Sequence, residues 1–217
     1  NKVIGVVTES LGLCWYDVTV TGMEAHAGPT PMSLRRDALY ASTFLMQKVV
    51  QLGLDYAPAG RGTVGAAYVH PGSRNVIPGS VTFTVDIRHE NAGKLAEMDA
   101  KLRAAMQDVA DGRMTGHAMG VEFKEVSYFP PTPFALDMVA SVREQARARG
   151  YAEMDIVTGA GHDAVHVATV SPTAMIFVPC KDGISHNEIE DADPAHLEAG
   201  ANVLLGAMLA QAGLARN

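Results

Sequence analysis

Only two of the 217 residues are cysteine, Cys14 and Cys180, and only one is tryptophan. Two thiols cannot make a disulfide framework, so a reducing compartment, the cytoplasm, is the expected setting. Basic residues are in the minority, with 17 Lys plus Arg against 24 Asp plus Glu and a formal net charge of −7. That deficit, with no Lys/Arg cluster to offset it, argues against a nucleic-acid surface. No apolar run approaches the roughly 18 residues that a membrane span needs. Repeats and low-complexity tracts are absent. What remains is ordinary for a globular protein, 47% hydrophobic and 19% charged, with length for one large domain or two modest ones.

The chain opens on Asn1, and Lys2 to Thr8 already reads as an interior strand. We therefore expect the chain to begin within a larger protein. Tyr16, Val18 and Val20 alternate with Asp17, Thr19 and Thr21, the period of a half-buried strand. After a Gly/Pro-punctuated loop, Leu34, Ala38, Ala41, Leu45, Val49 and Leu52 recur at threes and fours, predicting a helix from about Ser33 to Leu52. Thr63 to Val69 and Val81 to Arg88 read as strands, the second with Val81, Phe83, Val85 and Ile87 on one side. A second helix is expected after Asn91, burying Leu95, Met98, Leu102, Ala105 and Val109, then a strand over Val121 to Val126. Strand, helix, strand, strand, helix, strand is the order of a ferredoxin-like unit.

Pro130-Pro131-Thr132-Pro133 is a stiff connector and a natural boundary. Beyond it, helix and strand alternate: a helix to about Arg149, a strand at Asp155–Thr158, a glycine loop, a short helix, and the apolar run Thr173–Val178. That run reads as a strand buried on both faces of a parallel sheet. A last helix starts at Asp193 as N-cap with Pro194 in its first turn. This half resembles part of a doubly wound α/β sheet.

Several loops carry chemistry. Cys180 to Glu188 brings His186 near Asp182, Ser185 and Glu188, and would lie beyond the carboxyl end of its strand, where open α/β sheets bind ligands. Gly159-Ala160-Gly161-His162-Asp163-Ala164 fits G-x-G-x-x-A, with Asp182 downstream as a ribose-binding acid would be. Pro172 cuts the following helix short, and a simpler use is backbone N–H groups approaching an anionic or carbonyl group. His162 and His166 have the i, i+4 spacing of a zinc helix, but Asp163 stands where the base is usually Glu. Arg88 could clamp a carboxylate in a bidentate manner or simply pair with Asp86. Asn75 sits in a turn and His26 in a loop of small residues, both common places for purely structural side chains.

Taken together, ordered motifs carry a resemblance. Gly22-Met23-Glu24-Ala25-His26-Ala27-Gly28-Pro29-Thr30-Pro31-Met32, Leu34 to Ala38, Asn75-Val76-Ile77-Pro78-Gly79 and Asp86-Ile87-Arg88-His89 come first. Gly159 to Ala164, Phe177-Val178-Pro179 and Lys181 to Glu188 follow, with Cys180 standing where the pattern has a small polar residue. The whole resembles the N-carbamoyl-L-amino acid hydrolases, allantoate amidohydrolases and β-ureidopropionases of the binuclear-metal aminoacylase–carboxypeptidase superfamily. The resemblance implies that residues 1–10 end a first catalytic segment, 11–129 form a ferredoxin-like lid and dimerisation domain, and 130–217 are the C-terminal segment of an α/β catalytic domain. It implies a carboxylate-bearing ureido substrate, a homodimer formed through the lid, and two divalent metal ions (Mn, Zn, Ni or Co). His186 would be a metal ligand. Asn75 and Arg88 would grip the substrate carboxylate, and His26 would polarise the scissile carbonyl in a neighbouring subunit. Gly159, Ala160, Gly161 and His162 would line the substrate site. In that family the other metal ligands and the glutamate base precede the lid, so the resemblance implies a piece that would not turn over substrate alone. Two rivals are a non-catalytic dimerisation or binding module, and an aminoacylase or dipeptidase of the same superfamily.

Overall fold

The structure, a computed structural model, describes residues 2–212. In chain order the strands are β1 (Ile4–Ser10), β2 (Gly12–Thr21), β3 (Ala25–His26), β4 (Arg61–Thr63), β5 (Ala67–His70), β6 (Val76–Ile77), β7 (Ser80–His89), β8 (Gly120–Phe129), β9 (Thr132–Pro133), β10 (Glu153–Thr158) and β11 (Met175–Phe177). The α-helices are α1 (Ala38–Asp55), α2 (Ala92–Ala110), α3 (Leu136–Ala148), α4 (Asp163–Val167) and α5 (Pro194–Ala212). They divide into two compact units, one running up to Leu11 and resuming at Thr132, the other Gly12–Pro131.

The Gly12–Pro131 unit is an antiparallel sheet in the order β4-β7-β2-β8, with β5 also on β7. With β4 and β5 counted as one interrupted strand, this is the ferredoxin-like βαββαβ arrangement. Alternation drives it: Tyr16, Val18 and Val20 on β2 and Val81, Phe83, Val85 and Ile87 on β7 turn to one face. There they meet Ala41, Leu45, Val49 and Leu52 of α1, and Leu95, Met98, Leu102 and Val109 of α2, in a single buried cluster. The opposite face, with Trp15, Asp17, Thr82 and Thr84, stays at least partly open, so the unit is two layers deep.

Three expectations need correction here. The first helix does not begin near Ser33. Met32–Leu34 is a 3-10 turn, Leu34 is 61% exposed, and the α-helix starts at Ala38 under the cap of Asp37, which accepts from the N–H groups of Leu39 and Tyr40. The strand expected over Thr63–Val69 is broken between β4 and β5, where Thr84 Oγ1 takes the Ala66 N–H. On α2, Met106 is buried in place of the expected Ala105, which is only partly covered.

In the other unit β1 is central, parallel to β10 on one side and antiparallel to β11 on the other, with β9 also on β1. Ile4, Val6 and Val7 pack with Val139, Val142 and Ala146 of α3 and Ala199 and Val203 of α5. The run Thr173–Val178 is corrected in two ways. Only Met175–Phe177 is strand, half-buried rather than enclosed, and it runs antiparallel to β1. An apolar run does not encode strand direction, and the rule that places ligands beyond carboxyl ends holds for parallel strands. Because Phe177 pairs with Gly5, the chain leaves β11 toward the start of β1, whereas Thr158, at the end of β10, pairs with Ser10 at the finish of β1. The loops after β10 and β11 therefore depart from opposite ends of the sheet.

Candidate functional site

In the Gly12–Pro131 unit the candidate residues fall into two groups. His26 lies on β3, which pairs with β6 so that His26 stands opposite Val76, next to Asn75. The Ala27 N–H donates to the Asn75 carbonyl at 2.8 Å, and the Ser73 hydroxyl donates to Asn75 Oδ1 at 2.9 Å. His26 Nδ1 accepts the Gly28 N–H at 3.0 Å. The loop is tied down by Arg35, whose Nε donates to the Thr30 carbonyl and whose Nη2 donates to that of Ala27. Nearby, His70 lies 3.6 Å from Glu24, both well exposed.

Arg88 is elsewhere. It pairs with Leu13 and Arg61 near the far end of β7. The eight steps from Ser80 to Arg88 at roughly 3.3 Å each put about 26 Å between that end and the end where Asn75 enters. Asn75 and Arg88 of one chain therefore do not meet on one carboxylate. Within the chain, Asn75 keeps company with His26. Arg88 is held by Asp86, whose carboxylate takes Nε at 2.9 Å and Nη2 at 2.6 Å, and its guanidinium stands 6.0 Å from the centre of the Trp15 ring. The register explains the pairing, since Asp86 and Arg88 are two apart on one strand and share a face.

The other unit holds the remaining candidates. Gly159, Ala160 and Gly161 are exposed just beyond β10. Thr158 is buried and organises this turn: its Oγ1 accepts the Ala160 N–H at 3.2 Å and lies 3.1 Å from His162 Nε2. His162 also meets Phe177 edge-on, with ring centroids 5.6 Å apart. It is the N-cap of α4, with extended backbone, and the helix itself is only five residues long. His162 and His166 thus do not share a helix face, and the zinc-helix spacing has no structural counterpart. His186 is exposed and adopts φ 58°, a left-handed backbone uncommon for a residue with a side chain. Its N–H is held by Glu190 Oε2 at 3.0 Å. Asp182 shares the left-handed conformation, at φ 56°.

A binuclear metal centre needs several converging His, Asp, Glu or Cys side chains. Among the described residues no three such side chains gather, and His186 alone does not fit that demand. Among them, too, no helix is long and apolar enough to cross a membrane. Sequence reasoning passed over Gly28, Ser73 and Thr158, which orient His26, Asn75 and the glycine turn. Their signals are faint, because each acts through hydrogen bonds to near neighbours in sequence.

Comparison with known proteins brings these motifs together. The profile of peptidase family M20/M25/M40 matches residues 22–210. The N-carbamoyl-L-amino-acid amidohydrolase of Rhizobium meliloti is 43% identical over 209 residues, covering 96% of this chain and 49% of that protein. The allantoate amidohydrolase of Escherichia coli (strain K12) is 34% identical over 201 residues, covering 93% and 48%. A crystal structure of an amidase of the hydantoinase/carbamoylase family from Burkholderia vietnamiensis superposes with a TM-score of 0.91 at 55% identity, over 97% of this chain and 50% of that one. The chain spans about half the length of the relatives it matches. With the profile running through most of the chain, the chain belongs to peptidase family M20/M25/M40, and its relatives there include N-carbamoyl-L-amino-acid and allantoate amidohydrolases.

Proposed function

We propose that this chain forms the lid and part of the catalytic unit of an amidohydrolase that cleaves the ureido C–N bond of N-carbamoyl-L-amino acids or allantoate-like substrates. The observation that carries this reading is the relationship to enzymes named for those two substrate types, both of which join a ureido group to a carboxylate-bearing carbon. In the reaction water adds to the ureido carbonyl, the bond to the substituted nitrogen breaks, and the carbamate released decomposes to carbon dioxide and ammonia.

Arg88 receives the substrate carboxylate, a role supported by the side-on manner in which it already engages Asp86. His26 meets the scissile carbonyl as a hydrogen-bond donor, with Asn75 beside it. Because these two lie about 26 Å from Arg88, they serve the site of a second copy, which makes the functional unit a homodimer built through Gly12–Pro131. The edge strand β8 supports this, since it exposes Phe123, Val126 and Tyr128. Gly159, Ala160 and Gly161 offer backbone donors at the other unit, with His162 alongside. His186 contributes one ligand to a divalent metal site whose other ligands are not among the described residues.

The test is ammonia release from N-carbamoyl-L-amino acids and from allantoate, by this chain and by the longer protein that the relatives' lengths imply. Activity is expected only in the longer form. Activity in neither would favour a non-catalytic dimerisation or binding module. In the active form Arg88→Ala should raise KM for carboxylate substrates roughly ten- to a hundredfold, the loss of a charge-assisted hydrogen-bond pair, with kcat changed less. Unchanged kinetics would remove Arg88 from the site.

A further inference from the structure

We propose that Gly28 is a positioning residue whose backbone N–H locks His26 in the tautomer that carries its proton on Nε2. The inference rests on the role given above to His26, but its structural part stands on this chain alone. A neutral imidazole has one N–H and one bare nitrogen. The Gly28 N–H points at His26 Nδ1 from 3.0 Å. A backbone amide donates and never accepts, so Nδ1 must be the bare nitrogen. A hydroxyl or water in that place would serve either tautomer, and the amide serves one.

The donor is itself held. Ala27 and Thr30 donate to the Asn75 and His26 carbonyls at 2.8 and 3.3 Å, and Arg35 Nη2 spans to the Ala27 carbonyl at 2.6 Å. The approach is close: a Cβ built at position 28 would stand 3.3 Å from His26 Cε1 and 3.4 Å from Nδ1, so the ring would have to give by a few tenths of an ångström. Asn75 next to it repeats the pattern, because Ser73 Oγ donates to its Oδ1 and leaves the amide NH2 as the presented group. This end of the unit therefore offers neighbouring donors. Their complement is an oxygen acceptor, and one gaining negative charge as water adds to a carbonyl suits them best. A metal ion would need the Nε2 lone pair, which this tautomer lacks, so His26 is a donor to substrate rather than a ligand to metal.

Nitrogen-15 NMR of the labelled 217-residue chain in alkaline solution tests this directly. The expected spectrum has a bare Nδ1, a protonated Nε2, and a scalar coupling across the hydrogen bond from the Gly28 amide nitrogen to Nδ1. Gly28→Pro, which has no N–H, should abolish the coupling and return the ring to the tautomer mixture of a free imidazole. A protonated Nδ1 in the parent chain, or no coupling there, overturns the proposal without any variant having to fold. A folded Gly28→Pro protein with the parent's tautomer population overturns it as well. In the active, longer protein Gly28→Pro should lower kcat roughly ten- to a hundredfold with KM little changed, as a misaimed catalytic group does. An unchanged kcat would refute the positioning role. If His26→Ala left turnover intact while the coupling was present, the function assigned to His26 would fail and the tautomer lock would survive.

Discussion

Cys14 and His89 are pressed into the helix-covered side of the five-stranded sheet, and burial favours the neutral form of both. The Cys14 thiol, 3% exposed, is pushed up to about 11, chiefly because its thiolate would be stripped of water. We predict that a thiol-specific reagent labels Cys180, which is half-buried, in the native chain, and reaches Cys14 only in denaturant. Rapid labelling of two thiols without denaturant would contradict this. His89 is shifted the other way, below its ordinary value of 6.5, with desolvation the main cause, and its Nδ1 accepts the Asn91 N–H at 2.9 Å. Below pH 6.5 the unfolded chain takes up a proton that the folded chain resists, so stability should decline as pH falls from 6.5 toward the lowered folded value. Urea midpoints measured at successive pH values check this, and His89→Gln should flatten the dependence. At this scale the sequence exposed residue types and little else. His26, Asn75 and Arg88 stood out by motif, whereas the Gly28 N–H and the Thr158 hydroxyl act through contacts that no spacing rule encodes.

Elements were legible where one period ran without interruption. On β7, Val81, Phe83, Val85 and Ile87 alternate for the whole strand because one face is buried and the other is not. The α1 boundary was misplaced because Leu34 continues the apolar spacing past the true start, while the cap at Asp37 outweighs it by satisfying two amide groups, at 2.9 and 3.0 Å. Asp37→Ala should therefore cost about 1 kcal/mol in chemical denaturation, and Asp37→Asn much less. Equal losses in both variants would assign the effect to charge rather than capping. The misreading of β11 has a different origin. Parallel and antiparallel strands of similar burial have the same composition, and direction is set by the connection, which one sequence does not display.

For the whole molecule, the distribution of candidate residues over two units matters more than any single contact. The sequence named motifs in order, but which of them share a place depends on strand register and direction, and this is why Asn75 lies beside His26 and far from Arg88 within the chain. The described residues also gather no metal-binding trio. We predict that titrating the chain with Zn²⁺ or Mn²⁺ in a calorimeter gives no saturable two-ion isotherm, and a tight two-site isotherm would show that the present side chains suffice. The ten residues of β7 hold the His26 loop and Arg88 at opposite tips of a stiff bar. Free-energy changes at points so far apart combine independently. Substitutions at one tip should therefore leave the geometry of the other undisturbed, so the two ends of this one strand can diverge separately while the sheet between them stays the same.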